Sequence, residues 1–187
     1  MRQWLGMVMQ ILWVFGAYSP TLSASQPIPS AYRAVAFEYG IPARLFYAVA
    51  LTESGQSSLS QKQWRPWPWT LNINGQGHYY PSRQAAWTKL QQALKDKQTA
   101  VDVGLMQIAW RYHRQALGSA WQALEPLHNL RVGAGILKRC YARMTDWWQS
   151  LGCYHAPNDP DRARKYRERV RQHWQQLAKT DLPVSTP

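Results

Sequence analysis

The stretch YAVALTESGQSS, residues 47–58, places a single carboxylate at the end of a strongly apolar segment. Leu45 and Val49 are four residues apart, which is the spacing of one helix face, and Glu53 follows four residues later on or beside that face. A carboxylate at a packed position is costly unless it is paired or takes part in chemistry. The pattern therefore predicts a helix from Ala43 to about Glu53 that brings a functional carboxylate to the edge of a cleft.

Helical patterns flank this segment on both sides. Residues 25–30 read as a short linker rich in Pro and Ser, after which Ser30 is expected to cap a helix that Gly40 ends. Downstream, helical spacing predicts four more helices: one capped by Ser82, one over residues 130–144, one from about Asp146 to Gly152, and one after Pro160. The chain is therefore predicted to be mainly α.

The segment over residues 61–81 interrupts the helical pattern. Pro66 and Pro68 exclude a helix, and the pair Asn74-Gly75 lies between short runs of apolar and polar residues. This combination favours a β-hairpin. Because an isolated hairpin is only marginally stable in water, we expect it to pack on the helical body as a small insertion.

Composition limits the possible classes of protein. A chain of 187 residues that is 45% hydrophobic and contains 11 Trp can form one compact domain and is unlike a disordered chain. The 22 Lys and Arg residues against 10 Asp and Glu give a net charge of +12. This charge favours a polyanionic neighbour such as nucleic acid, anionic lipid or cell-wall polymer. The basic residues concentrate in residues 161–174, where helical spacing is typical of a solvated helix face.

Residues 1–24 are typical of a secretory signal peptide. Arg2 precedes an uncharged, mainly apolar run over residues 4–17, and Leu22-Ser23-Ala24 offers small residues for cleavage before Ser25. The run is shorter than the roughly 20 residues of a spanning helix, which makes an uncleaved anchor the weaker interpretation. We therefore expect a periplasmic protein with no stable membrane span after removal of the signal.

Export also affects the expected state of the two cysteines. In an oxidising compartment an even number permits a disulfide between Cys140 and Cys153, and two separate buried thiols are the alternative. The expected domain covers residues 31–178, and residues 179–187 are expected to form a flexible tail.

Four short blocks follow one another along the chain: ALTESG around Glu53, GLMQI at residues 104–108, NLRVGAGIL at residues 129–137 and CYHAP at residues 153–157. This ordered set resembles the soluble lytic transglycosylase (SLT) family, and the similarity extends over about residues 28–166. The resemblance implies a lysozyme-like SLT α+β domain. It also implies a lyase-type enzyme that cleaves the glycosidic bonds of peptidoglycan.

The resemblance is closest to the transglycosylases of integrating conjugative elements and type IV secretion systems, on the text WPWTLNINGQGHYYPSR, DVGLMQI and GCYHAP. It implies a conjugation or secretion apparatus as partner, beside the peptidoglycan substrate. It further implies substrate-binding residues, which are Ser54, Met106, Gln107, Tyr154 and His155. At His155 the family usually has Asn, although an imidazole can also donate a hydrogen bond.

Structural roles are the alternatives at four of these positions. Ser54 can end its helix, Met106 and Tyr154 can pack in the core, and Gln107 can hold the loop beside Glu53. Leu105, Ile108 and Tyr112, around the same block, are expected to be buried.

Glu53 is also the predicted catalytic residue on chemical grounds. Glycosidic cleavage needs an acid for the leaving oxygen, and an apolar pocket raises the pKa of a Glu towards neutrality. Most glycoside hydrolases also need a second carboxylate, and the sequence offers few candidates for it. Asp102, two residues before GLMQI, either has a structural role, capping a turn or binding backbone amides, or activates water, which would make the protein a muramidase. With Glu53 alone, the C6 hydroxyl of muramic acid can attack intramolecularly and leave a 1,6-anhydro end.

Other classes receive less support from the sequence. The five His residues show no HxxxH or HExxH spacing, and the chain has no Walker-type loop or dinucleotide fingerprint, so we expect no metal and no cofactor. An export signal ahead of a lysozyme-like domain disfavours nucleic acid as partner. A non-catalytic murein-binding component of an assembly remains the alternative from another class.

Overall fold

The computed structural model describes residues 27–57 and 64–179, and the predicted signal peptide lies outside them. Within these ranges the helices are α1 (Ser30–Tyr39), α2 (Ala43–Ser54), α3 (Arg83–Ala93), α4 (Trp110–Leu117), α5 (Ala120–Ala123), α6 (Pro126–Met144), α7 (Trp147–His155) and α8 (Pro160–Lys179). The strands are β1 (Gly55–Ser57), β2 (Trp64–Pro66), β3 (Thr70–Ile73), β4 (Gln76–Tyr79), β5 (Val101–Val103) and β6 (Ile108–Ala109).

The first two helices follow the predicted pattern with one change. Ser30 is the first residue of α1 rather than its cap, and no side chain caps this helix end. Gly40 ends α1 in the left-handed conformation, at φ 64°. In α2 the predicted stripe of Leu45 and Val49 is buried, and the helix continues one residue past Glu53.

The helical half of the domain is a ring of packed helices. α2 packs against α1 and α8, α8 against α7, α7 against α6, and α6 against α1. The core that they enclose contains Phe46, Leu130, Leu137, Leu151 and Tyr166, all of them buried. Because α2 lies between α1 and α8, its C-terminal end and Glu53 are held by helices from both ends of the described chain.

The predicted hairpin is present, but it is half of a larger sheet. β3 and β4 form it around Asn74 and Gly75, and the four strands lie in the antiparallel order β4-β3-β5-β6. Asn72 of β3 lies opposite Asp102 of β5. The segments of β5 and β6 were not predicted as strands. A separate two-stranded sheet pairs β1 with β2, directly after Glu53 and Ser54.

Two helix boundaries in the C-terminal half differ from the prediction. α6 begins at Pro126, where a turn was expected, because the Glu125 carboxylate accepts hydrogen bonds from the backbone N–H groups of Leu127 and His128. α7 begins close to the predicted start, with Asp146 as its cap, and continues to His155 rather than ending near Gly152. A disulfide joins Cys140 of α6 to Cys153 of α7, which is the pairing that the sequence permitted.

Among the described residues no single helix has the length and hydropathy of a membrane-spanning segment. α1 and α2 meet that criterion only when they are taken together, and the chain bends by 117° between them.

Candidate active site

A cleft of about 440 Å³ lies between the sheet and the helices, with Glu53 inside it. We call the side formed by Asn72, Asp102 and Gln107 the sheet wall. The opposite side is formed by residues of α7 and α8 and is called the helical wall; its residues in the cleft are Tyr154, His155, Arg162 and Arg169. Glu53 therefore stands between a wall with a carboxylate and a wall with two guanidinium groups.

The carboxyl group of Glu53 is half-buried and hydrogen-bonded. The Tyr166 hydroxyl donates to its Oε1 at 2.6 Å. The pKa of Glu53 is raised to about 7, chiefly by burial; the hydrogen bond from Tyr166 and the charge of Arg169 oppose the rise, and the nearby Asp102 contributes to it. Near neutral pH a substantial fraction of Glu53 thus carries the proton that a general acid needs.

Tyr166 was missed in the sequence because it lies within the basic run of α8. The signal that marks it is an apolar stripe inside that run, since Ala163, Tyr166 and Val170 are three and four residues apart and all three are buried. Tyr154, which the resemblance implied as a substrate-binding residue, lines the cleft, but its hydroxyl donates to the backbone oxygen of Met106 at 2.7 Å. The hydrogen bond to Glu53 comes from the other tyrosine.

The GLMQI turn is fixed by one buried amide. Asn129 of α6 accepts from the Met106 N–H at 2.9 Å and donates to the backbone oxygens of Val103 at 2.9 Å and Ala123 at 3.1 Å. Gly104 has φ 79°, and a Cβ there would lie 2.5 Å from the Asn129 side chain. Both its backbone angle and its lack of a side chain are therefore needed for Asn129 to reach the turn.

Two predicted substrate-binding residues lie in the core instead. Ser54 is fully buried, and its hydroxyl donates to the Leu105 backbone oxygen at 2.8 Å, which ties the end of α2 to the GLMQI turn. Met106 is fully buried against α6, where a Cβ at Gly133 would lie 2.7 Å from its side chain. This placement corrects the prediction that the two side chains bind substrate: both hold the site in place.

Gln107 lines the cleft and is anchored at the same time. Its amide nitrogen donates to the backbone oxygens of Gly104 at 2.8 Å and Thr70 at 3.2 Å, so it links the turn to β3. The backbone of Gln107 adopts φ 43°, a left-handed angle within the turn. Holding the loop beside Glu53 is therefore a role that the geometry assigns to this residue.

His155 lies in the cleft with its ring stacked on that of Tyr166, at 4.2 Å between centroids and 4° between planes. The pKa of His155 is lowered to about 4, chiefly by burial and in addition by the charges of Arg169 and Arg162. The imidazole is therefore neutral at physiological pH. It supports Tyr166 from one side and keeps one donor and one acceptor nitrogen.

Among the described residues the Asp102 side chain neither caps a turn nor accepts a hydrogen bond from a backbone amide, which corrects the structural role expected for it. It lies in the middle of β5, opposite Asn72 and Ala109, and lines the cleft. Its carboxylate has no hydrogen-bond partner among the residues that the structure describes, and burial raises its pKa to about 6. Two carboxylic acids of different pKa thus face one cleft.

Several cleft residues were not anticipated in that role, among them Asn72, Tyr112, Arg162 and Arg169. Tyr112 was expected in the core but is 77% exposed. The amide oxygen of Asn72 is buried and has no hydrogen-bond partner among residues 27–57 and 64–179. Its position opposite Asp102 depends on strand pairing, so no local sequence signal could have identified it.

The chain matches one family of known proteins along most of its length. The family described as "Transglycosylase SLT domain" matches residues 30–176 of the chain. The chain belongs to this family. Searches among curated proteins and solved structures return no significant match. Membership confirms the mainly α, lysozyme-like fold class and gives the chain a peptidoglycan-related function of the lytic transglycosylase type.

The disulfide of the SLT domain lies beside the cleft. Cys140 and Cys153 line a second depression of about 540 Å³ that shares Tyr154, His155 and Arg162 with the cleft. The Cys140–Cys153 bond therefore fixes α7, which carries Tyr154 and His155, to α6. Within the described part of the SLT domain, no three His, Cys, Asp or Glu side chains are grouped so that they could hold a metal ion.

Proposed function

We propose that this SLT domain is a peptidoglycan lytic transglycosylase that cleaves the β-1,4 bond between N-acetylmuramic acid and N-acetylglucosamine, with Glu53 as its acid and base. One observation carries the proposal. Glu53 has a pKa of about 7 and receives a hydrogen bond from a buried tyrosine inside an open cleft. A carboxyl group in this state gives up a proton and takes it back near neutral pH.

The reaction balances without a water molecule. Protonated Glu53 gives its proton to the glycosidic oxygen as the bond from C1 of the muramic acid breaks. The positive charge that develops at C1 is stabilised by the N-acetyl group of the same sugar. The Glu53 carboxylate then removes the proton of the C6 hydroxyl, whose oxygen bonds to C1. A 1,6-anhydro end is formed, and Glu53 has regained its proton.

Hydrolysis by the same cleft is the second candidate, and one observation favours it. Asp102 faces the cleft, and its pKa of about 6 lies below that of Glu53, so the pair holds an ionised and a protonated carboxyl between these values. This is the arrangement in which one group acts as acid and the other activates water. The expected product is then a reducing muramic acid end.

The cellular role belongs to the same proposal. The N-terminal sequence supports a periplasmic location, and the similarity of the Trp-rich segment and of DVGLMQI supports a role in opening the wall for a conjugation or type IV secretion apparatus. Deletion of the gene from a conjugating strain is expected to lower transfer frequency. Normal transfer would contradict this part of the proposal and leave the enzymology untouched.

The central experiment is digestion of purified murein followed by mass spectrometry of the products. Wild-type protein is expected to release 1,6-anhydro muropeptides, and Glu53→Gln to release none. Glu38→Gln is the matched control, because Glu38 is exposed and pairs only with Arg131 on the surface. Reducing ends instead of anhydro ends would establish hydrolysis. No products from the wild type would contradict both candidates and leave a murein-binding protein.

A further inference from the structure

Two arginines of α8 reach the cleft from the same side of the helix. Arg162 and Arg169 are seven residues apart, which is two helical turns, and both line the cleft that contains Glu53. Arg162 also lines the depression beside the disulfide and a third depression on the outer side of α8. Arg162 therefore borders all three hollows, which are the cleft and the two depressions.

The outer depression is strongly basic. It encloses about 430 Å³, and its lining residues are His155, Arg162, Arg164, Lys165, Glu168 and Arg169. We call Arg162, Lys165 and Arg169 the basic rim, since they lie three, four and seven residues apart on one helix face and are all exposed. The rim continues the helical wall of the cleft out to the surface.

No ion pair among the described residues includes the rim, and Glu168 is the one carboxylate that lines the same depression. The ion pairs among the described residues are Arg131 with Glu38 and Arg164 with Asp161, so the rim takes part in neither. The positive charge of the rim acts inside the cleft, because Arg162 and Arg169 lower the pKa of His155. Like charges on one helix face repel each other and oppose folding, which points to a counter-charge supplied from outside.

The substrate class of the proposed function supplies anions at this position. The glycan backbone of murein is uncharged, whereas the peptide stem attached to muramic acid through its lactyl group carries free carboxylates. The muramic acid whose bond is cleaved lies next to Glu53, so its own stem begins within the cleft that Arg162 and Arg169 line. Guanidinium groups bind carboxylates through paired, charge-assisted hydrogen bonds.

We propose that the basic rim binds the carboxylates of the murein peptide stem, so that the protein cleaves peptide-bearing strands in preference to strands without peptide. The inference rests on the proposed function, since it names which form of murein the cleft accepts. The basic residues of α8 then have two roles: they select the substrate, and they form the solvated face of the helix.

The test compares two substrates that differ only in the stem. Murein glycan strands are prepared with their peptides and, in a second portion, after complete removal of the peptides by an amidase and conversion of the lactyl carboxylates that the amidase exposes into methyl amides, so that the second portion carries no carboxylate. The ratio of kcat/KM for the two substrates is measured for the wild type, for the double variant Arg162→Gln/Arg169→Gln, and for Arg171→Gln. Arg171 is an exposed residue of α8 outside the three hollows and lies over the Trp148 ring.

The wild type and Arg171→Gln are expected to favour the peptide-bearing strand by about tenfold or more, the effect of one or two charge-assisted hydrogen bonds. The double variant is expected to lose this preference through KM. Any change that it causes in the ionisation of Glu53 affects both substrates equally and cancels in the ratio. Thermal unfolding verifies that each variant is folded.

Three outcomes would overturn the inference. Equal cleavage of both substrates by the wild type, or an unchanged ratio in the double variant, would reject the rim and leave the proposed function standing. If the wild type cleaves neither substrate, the role of the rim and the proposed function are both rejected.

A binding measurement separates the anion sources. Glu53→Gln protein is titrated with a disaccharide tetrapeptide, with the disaccharide whose lactyl carboxylate is blocked as a methyl amide, and with duplex DNA. The peptide-bearing ligand is expected to bind most tightly, and this advantage is expected to vanish in the double variant. Tighter binding of DNA, lost with the same two arginines, would assign the rim to nucleic acid instead.

Discussion

The two walls of the cleft act on Glu53 in opposite directions. From the sheet wall, Asp102 raises the pKa of Glu53, whereas Tyr166 behind the helical wall and Arg169 within it lower that pKa. Burial between the walls contributes most and sets the pKa at about 7. The pKa of Glu53 is therefore set by a balance between two separate parts of the fold, so each wall can be altered while the other is kept.

The walls also differ in how they are held. The sheet wall depends on backbone geometry, with Asn129 bonded to the GLMQI turn and Gly104 in a left-handed conformation. The helical wall depends on side-chain packing, with the His155 ring stacked on Tyr166. Loss of one hydrogen-bonding group should therefore cost more stability at the sheet wall than at the helical wall.

The largest effect is expected from breaking the sheet wall with Asn129→Ala. The change leaves the Met106 N–H and the Val103 and Ala123 oxygens without their buried partner. The free energy of unfolding is expected to fall by about 3 kcal/mol. Urea unfolding followed by circular dichroism measures it, with the exposed Asn158→Ala as control. A loss below about 1 kcal/mol would mean that the turn does not depend on this amide.

Glu53→Gln is expected to stabilise the protein, because the site is built at the expense of stability. The pKa of Glu53 is about 7 in the folded protein against 4.5 for an ordinary Glu, so the folded state binds the proton more tightly. Stability of the wild type is then full below about pH 4.5 and decreases as the pH rises towards 7. At pH 8 the variant should exceed the wild type by about 3 kcal/mol, and at pH 4 by almost nothing. Thermal unfolding of both proteins at the two pH values tests this, and a gain that does not depend on pH would contradict it.

Tyr166→Phe isolates the helical wall. It removes the hydrogen bond that favours ionised Glu53, so the alkaline limb of kcat/KM is expected to move to higher pH. The rate at the optimum should fall about tenfold, since the carboxyl loses the group that orients it. Tyr141→Phe is the control, because Tyr141 stacks on Trp147 away from the cleft. A fall in rate without a shift of the limb would indicate a purely structural role.

Asp102→Asn isolates the sheet wall and should give the smallest effect. Removal of the neighbouring negative charge lowers the pKa of Glu53, so the alkaline limb is expected to move to lower pH, opposite to the shift of Tyr166→Phe. Anhydro products should persist, because the proposed route needs no second carboxylate. If wild-type digests also contain reducing ends, their selective loss in this variant would establish Asp102 as the base for water.

The sequence predicted those parts of the site that depend on neighbours along the chain. The position of Glu53 at the end of an apolar helix follows from the spacing of Leu45 and Val49, and the hairpin follows from Asn74-Gly75. The disulfide between Cys140 and Cys153 and the SLT family were predicted as well. Each of these features leaves a local signal of composition, periodicity or motif order.

The missed parts depend on contacts between distant segments. Strands β5 and β6 have three and two residues, too few for a periodic pattern; β5 exists because β3 offers a partner, and β6 because β5 does. The inward direction of Met106 depends on space at Gly133, in another helix. In the sequence, Tyr166 is one residue within a basic helix. Its role depends on the packing of α8 on α2, which the sequence does not reveal.

The hydrogen bond between Tyr166 and Glu53 spans 113 residues of sequence. Contacts of such long range form late in folding, because closing a long loop costs entropy before the contact repays it. The acid of this protein is therefore completed only when α8 docks against α2. A partly folded chain would contain Glu53 as an ordinary solvated carboxylate with an ordinary acidity. Proteolytic removal or unfolding of α8 would act as an off-switch while leaving every residue of the ES and GLMQI blocks intact.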